Sequence, residues 1–449
     1  MTATLDHPAA EDLPAGSSIG TAVAVGELRT IALASDAAPP QLGGRYRRIV
    51  AGAVDDAGGA AVAVELADST TAAAVLLLAD AGGAGSGGGG AGGGAGAEPV
   101  VVARVGDAAP GGGRYRAFRE LDLADGGQLL FRAELDGGAA AEGLFLRTCD
   151  GVHAVARAGG GGATTLSRAE YAAFAQPTLV ATGAAPSIAF VARLVDGRTC
   201  VVQHPSYQDP TISLCSGVQL GENEVVEDDL VISRLGMGLC CVARVRSGER
   251  RFTKAFVVTS SVVSSGAWLQ TGAELPGHGR IARLLTPPAV CAQLGFVTVG
   301  LDDGRMALCI RPPALADPTV VLSSGDAVPG LPGETVRRIG APVASSSAAR
   351  QLPFGVASTI RLSDGRPALW VGVFAGQAPV EGAAIVPWLG SERAADRPEL
   401  GVSRLSPVKL GNDGTLLLRA VVGNTSERRT SLLTLPGLFD WFAAGASSP

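Results

Sequence analysis

Lysine is nearly missing from this chain. Of its 36 basic residues only Lys254 and Lys409 are lysine, and the rest are arginine. With the excess of Ala and Gly, that bias fits a GC-rich coding sequence, so an arginine alone does not mark a site. Aromatic residues make up only 4% against 47% apolar residues, so any core over 449 residues must be built from Val, Leu, Ile and Ala packed sheet on sheet. A basic footprint is also lacking: the formal net charge is -6, which argues against general nucleic-acid binding. No run of eighteen apolar residues exists, so a membrane-spanning helix is not expected. Met1–Gly20 has neither a basic start nor an apolar core segment, so it does not read as a secretory signal, and a cytoplasmic location is expected. Cysteine is scarce, odd in number (7) and never in a Cys-x-x-Cys spacing. Cys149, Cys200, Cys215, Cys240, Cys241, Cys291 and Cys309 are therefore expected to be reduced, small and hydrophobic.

Helical periodicity is absent too. In its place are short apolar runs separated by Gly/Asp turns, clearest in Val100–Ala156. Val100–Val105 ends in Gly106-Asp107-Ala108-Ala109-Pro110, Gln128–Leu135 is closed by Asp136-Gly137-Gly138, and Gly143–Leu146 and Val152–Val155 follow. Runs of roughly four to eight residues bounded by Asp-Gly read as antiparallel strands joined by tight turns.

The pattern recurs along the chain. A turn marker appears at Ala67-Asp68-Ser69-Thr70, Asp136-Gly137-Gly138, Asp196-Gly197-Arg198, Ser247-Gly248-Glu249, Asp303-Gly304-Arg305, Asp364-Gly365-Arg366 and Gly423-Asn424-Thr425. A second marker precedes several units, as Ser35-Asp36-Ala37-Ala38-Pro39, Gly106–Pro110, Gly325-Asp326-Ala327-Val328-Pro329 and, worn, Gly272–Pro276. Seven units with a period of roughly 50–70 residues and four strands apiece predict an all-β, seven-bladed propeller in one ring.

These residues resemble the bacterial tandem-repeat proteins with an NxxGxxAF-type repeat. Asp55-Asp56-Ala57-Gly58-Gly59-Ala60-Ala61-Val62 is close to that motif. Gly183…Ala189-Phe190 and Ala124…Gly127…Leu130-Phe131 keep parts of it, and Asn412-Asp413-Gly414 is one residue short. The resemblance covers about Leu28–Leu435, is most degenerate in units 4 to 6, and implies a β-propeller; it carries over no catalytic residue.

Leu28–Ser35 reads as a fourth strand without its first three, and Val402–Leu410, Thr415–Val421 and Thr430–Leu435 as three strands without a fourth. The N-terminal strand is therefore expected to complete the last blade and remove an exposed edge. The propeller is expected to span 20–435. Residues 1–19 read as a disordered arm, 81–97 as a flexible Gly/Ala loop and 436–449 as a tail carrying the aromatic patch Phe439–Phe442.

Candidate chemistry is sparse. His7, His153, His204 and His278 lack metal-ligand spacing, no Gly-x-Ser-x-Gly elbow on a strand-turn-helix is present, and the glycine runs lack the strand and helix a phosphate loop needs. No cofactor and no metal is expected; the weak cation candidates are Glu222, Glu224, Glu227, Asp228 and Asp229, a charge run that reads first as a solvated face, since its spacing does not match a calcium loop.

The informative feature is positional. Most units begin with an apolar-x-x-apolar step just before the first strand, at Tyr46…Ile49, Tyr115…Phe118, Tyr171…Phe174, Ile281…Leu284, Val336…Ile339 and Val402…Leu405. Between these lie Arg47, Arg48, Arg116, Arg283, Arg337, Arg338 and Arg404, with alanines in unit 3 and Glu227 and Asp228 in unit 4. Equivalent positions in a propeller form a ring, so an innermost first strand would put these arginines around one mouth of the channel, where guanidinium forks carboxylate and phosphate. The contrary reading pairs them with turn aspartates of neighbouring blades. The expectation is a non-enzymatic binding or scaffolding propeller with a protein segment or anionic ligand at that mouth. Its alternatives are a hydrolase or lyase acting on a sugar or lactone through the unit 4 acids, and a structural subunit of a larger assembly.

Overall fold

A computed structural model describes residues 29–435, except 56–58, 79–98, 160–169, 182–186, 205–209, 221–222, 236–237, 259–268, 292–293, 312–316, 329–330, 346–353, 376–377, 380–383, 388–392, 395–396, 412–413 and 424–427. The expected arm, the 81–97 loop and the tail lie outside the described residues.

Seven antiparallel sheets follow one another along the chain. Blade 1 illustrates the unit: Arg45–Val54, Ala60–Ala67, Ala73–Leu78 and Val100–Arg104 pair in sequence order. The first strands of blades 2, 3, 6 and 7 are Arg114–Ala124, Tyr171–Ala181, Val336–Ala344 and Arg397–Leu410. In blade 4 the first strand is split into Glu224–Val226 and Val231–Leu235, and in blade 5 into Gly279–Leu284 and Ala289–Cys291. First strands of successive blades touch one another around the ring, so they are the innermost strands. Arg29–Leu33 pairs antiparallel with Arg428–Leu435, and the last blade is thereby closed by the N-terminal strand. The single helical element among the described residues is a 3-10 turn at Asp125–Gly127.

The core is divided among the seams between blades. Seven apolar clusters each join one blade to the next, and the last joins blade 7 to blade 1 through Leu417 and Leu432 against Tyr46, Ile49 and Val62. Aliphatic residues dominate, as the low aromatic content requires. The aromatics that do exist concentrate in blades 2 and 3, where Phe131 and Phe145 stack with ring centroids 5.5 Å apart and Phe174 meets Phe190 edge-on.

Both sequence markers have a mechanical role. The first is the turn between second and third strands, where Gly137, Gly197, Gly248, Gly304 and Gly365 all adopt positive φ, between 60° and 89°, a backbone that favours glycine. In the Asp-Gly-Arg turns the aspartate closes its own turn. Asp196 Oδ1, Asp303 Oδ1 and Asp364 Oδ1 accept from the N–H of Arg198 (3.0 Å), Arg305 (2.9 Å) and Arg366 (2.8 Å). Each of these arginines donates its Nε back to the same aspartate. The second marker is the loop that enters each inner strand. Ser35, Gly106, Gly272 and Gly325 donate their N–H to the carbonyls of Tyr46, Tyr115, Ile281 and Val336. The N–H groups of Tyr46, Tyr115, Ile281 and Val336 donate in return to Asp36, Asp107, Ala273 and Asp326. The loop leaving one blade thus clamps the start of the next.

Two expectations need correcting. Cys200 and Cys215 are not reduced: they face each other on neighbouring strands of blade 3 and form a disulfide. Their register across a hairpin, which spacing in sequence does not give, brings them together. The apolar-x-x-apolar steps lie inside the inner strands and not before them. At each step two residues oppose one on the second strand: Arg47 and Arg48 face Glu65, Arg116 and Ala117 face Glu134, and Arg337 and Arg338 face Arg361. This β-bulge breaks the alternation by which a strand is recognised, and adds the twist that an innermost strand needs.

Candidate functional site

Because inner and second strands are antiparallel, the bulge, the Asp-Gly turn and the clamping loop all lie at one end of each blade. The register pairs Arg45 with Ala67, Arg114 with Asp136 and Val336 with Leu362. Tyr46, Tyr115, Tyr171, Ile281 and Val336 are buried along with Ile49, Phe118, Phe174 and Ile339, and these anchors hold the bulge. Between them, Arg47, Arg48, Arg116, Arg283, Arg337 and Arg338 are exposed, as is Arg404 of blade 7.

The arginines divide into two kinds. Arg48 lies 3.7 Å from Glu65, and Arg116 binds Glu134 at 2.6 Å. Arg119, one bulge further on, takes the other oxygen of Glu134 at 2.5 Å. The Glu134 carboxyl is held below its ordinary range, first by the Arg116 hydrogen bond and then by Arg119, against an opposing effect of burial. The side chains of Arg47, Arg283, Arg337, Arg338 and Arg404 have no hydrogen bond or ion pair among the described residues. No turn aspartate reaches them: the turn aspartates of blades 3, 5 and 6 are taken by their own turn arginines. Arg193 and Arg361, on the second strands opposite the bulges of blades 3 and 6, are exposed at the same end, and Arg361 reaches only its own turn carbonyl, Gly365 O, at 3.3 Å.

Blade 4 inverts the pattern and neutralises it. Glu227 pairs with Arg246 and Arg251 at 3.3 and 3.2 Å. Asp228 and Asp229 both face Arg244, and Glu224 receives Lys254 Nζ at 2.7 Å. The structure therefore brings these four acids to cations rather than to one another; Glu222 lies outside the described residues. Among the described residues no group of three or more His, Cys, Asp or Glu converges as a metal site would require. Burial pushes the Cys240 and Cys309 thiols up to about 12, which keeps them protonated and poor as nucleophiles.

Sequence reasoning missed Arg119, Glu65, Glu134, Arg193 and Arg361. The four second-strand residues stand two or three positions ahead of a turn marker, a signal that becomes readable only once the bulge fixes the register.

A cleft of about 330 Å³ opens at this end between blades 1 and 2. Arg47, Glu65, Arg116 and Arg119 stand around it, and Val64, Leu66 and Phe118 are among its buried apolar walls.

By structure the chain is similar to the WD40 domain of SCAP from fission yeast, with a TM-score of 0.40 and 8% identity over 91% of this chain and 90% of that one. It is similar to Sqt1 of Saccharomyces cerevisiae at a TM-score of 0.35 and 12% identity, covering 92% and 100%. It is also similar to AofleA from Arthrobotrys oligospora at a TM-score of 0.33 and 10% identity, covering 84% and 94%. No curated protein matches the sequence. The profile of a family of unknown function (DUF7453) matches residues 90–203, which hold the outer strand of blade 1, all of blade 2 and the first three strands of blade 3.

Proposed function

We propose that this protein is a binding propeller that takes an acidic protein segment at the mouth formed by the inner-strand bulges. One observation carries the reading: in a chain of net charge -6, Arg283, Arg337, Arg338, Arg404 and Arg47 form a crescent over blades 5, 6, 7 and 1 of exposed guanidinium groups without partners among the described residues. At the bulges of blades 2 and 4 the cations are matched by acids, in blade 2 by Glu134 and in blade 4 by Glu227, Asp228 and Asp229, and Arg193 of blade 3 adds a further exposed cation at this end. Unpaired guanidinium on a rigid scaffold favours carboxylate, and its contribution falls with salt. The described acids of blade 4, each facing a cation, lend no support to a sugar- or lactone-acting enzyme.

The test is binding of a fluorescent oligo-glutamate peptide, with oligo-lysine as the control, to the wild type and to Arg337→Glu/Arg338→Glu matched for thermal stability. The expected result is salt-sensitive binding of oligo-glutamate alone, weakened at least ~10-fold by the reversal, or about 1.4 kcal/mol. Equal affinity in both proteins would put the reading aside.

A further inference from the structure

At the blade 1–blade 2 end of this mouth the charge and the walls of the cleft specify more than an anion. We infer that the cleft bounded by Arg47, Arg116, Arg119 and Phe118 is a subsite for one apolar group bearing a carboxylate. The inference rests on the reading of the mouth as an anion-binding face, and its test is arranged to fail separately from that reading.

Three guanidinium groups, of Arg47, Arg116 and Arg119, line the cleft with one carboxylate, Glu65, while Arg116 and Arg119 also hold Glu134. Glu134 is shared by two of them, and Glu65 is only loosely engaged, 3.7 Å from Arg48. Arg47 has no partner among the described residues, and its planar fork is the donor left for an incoming carboxylate. A polar rim alone would suit any anion. The walls are apolar, however: Val50, Ala72, Val105 and Ala117 keep part of their surface open, backed by the buried Val64, Leu66, Ala73 and Phe118. Such walls are preformed, so a ligand orders little on binding. A phosphate or sulfate would meet the rim and leave these walls in contact with water. A carboxylate carried on a branched aliphatic or aromatic body covers both. The volume, about 330 Å³, is at the small end of ligand sites, which run from roughly 300 to 1,000 Å³, and suits one residue-sized group. Two sources offer this chemistry: the C-terminal residue of a peptide, and a free apolar acid.

The geometry also explains why the cleft is open. The bulge in blade 2 presents Arg116 outward and puts Ala117, without a side chain long enough to fill the gap, in the lining that Ala72 and Ala73 of blade 1 share. Filling that gap is accordingly an independent way to abolish the site without altering charge.

The experiment is calorimetric titration of the full chain with N-acetyl-leucine and with N-acetyl-leucinamide. A pentapeptide ending in leucine, with its C-terminus free or amidated, is titrated in parallel. Arg47→Ala removes the free fork, and Ala117→Trp fills the cleft; thermal melts confirm that both variants fold. The acids bind and their amides bind at least ten-fold more weakly; Arg47→Ala and Ala117→Trp each weaken the acids by at least ten-fold. Binding of both acids, or of the free acid alone, assigns the site to small apolar acids, and binding of the peptide alone assigns it to chain ends. If amides bind as well as acids, if neither acid binds, or if both variants bind like the wild type, the inference is overturned. Oligo-glutamate binding that survives in Arg47→Ala and is lost in Arg337→Glu/Arg338→Glu would leave the reading of the mouth standing in that case.

Discussion

Lys409 Nζ donates to Asp122 Oδ1 at 3.3 Å and to the Leu123 carbonyl at 2.6 Å, although the two charged residues lie 287 positions apart. Lys409 belongs to the inner strand of blade 7 and Asp122 to that of blade 2, so the pair passes blade 1. The other oxygen of Asp122 accepts the Leu179 N–H of blade 3 at 2.8 Å. One carboxylate thus ties three inner strands at the end of the ring opposite the arginine mouth. Each partner's side chain is only 20% exposed, so removing one leaves the other poorly solvated. Lys409→Met is expected to cost about 1–3 kcal/mol. The double variant with Asp122→Asn should be less damaged than the sum of the singles, a coupling that a double-mutant cycle by urea unfolding would measure.

Ring closure makes a separate prediction. Leu33, on the N-terminal strand, is 2% exposed and packs with Leu416, Leu418 and Leu433. Leu33→Ala is expected to cost about 2–5 kcal/mol. Deleting the chain through Leu33 would uncover the edge of Arg428–Leu435, and such edges pair with other chains. Size-exclusion chromatography should then show association that the full chain lacks.

The disulfide can be counted. With Cys200 and Cys215 bonded, reduction before unfolding should raise the titratable thiols by two, to all 7 cysteines. Because the cross-link closes a loop of 15 residues, reduction should lower stability by up to about 3 kcal/mol, visible as a lower melting temperature.

Two glutamates of blade 2 should bend the pH–stability curve in opposite directions. Glu142 is raised above its ordinary 4.5, first by burial, with the Phe174 N–H and Arg132 opposing. Its folded form therefore favours the proton: the stability it contributes is present below 4.5 and is lost as pH rises through the raised value. Glu134 is held below 4.5, first by Arg116, so its contribution is present above that ordinary value and is lost as pH falls through the lowered one. Glu142→Gln should flatten the stability profile just above pH 4.5, and Glu134→Gln just below it, in unfolding titrations across that range.

Much of the ring was legible in the sequence because its turns are written locally. Asp303-Gly304-Arg305 names its own conformation: Gly304 takes φ 87°, and Asp303 binds both the backbone and the side chain of Arg305. The unmatched strand Arg29–Leu33 and the three-stranded remainder at the other end likewise pointed to each other. What escaped was register. Arg116 and Arg119 converge on Glu134, and Cys200 meets Cys215, only through cross-strand pairing that spacing does not reveal. The bulges hid inside strands for the same reason, since two exposed residues between buried Tyr46 and Ile49 look like the end of an alternation. Lys409 and Asp122 depend on closure of the ring, across 287 positions of sequence.

The most direct test of the central claim compares two charge reversals of equal size in the oligo-glutamate assay. Arg337→Glu/Arg338→Glu reverses partnerless arginines of the crescent; Arg198→Glu/Arg305→Glu reverses turn arginines that already serve Asp196 and Asp303. The account predicts at least ~10-fold weaker binding for the first pair and less than about 3-fold for the second, a difference that shrinks as salt is raised. Equal losses for the two pairs would contradict it, because binding would then follow overall charge and not the mouth.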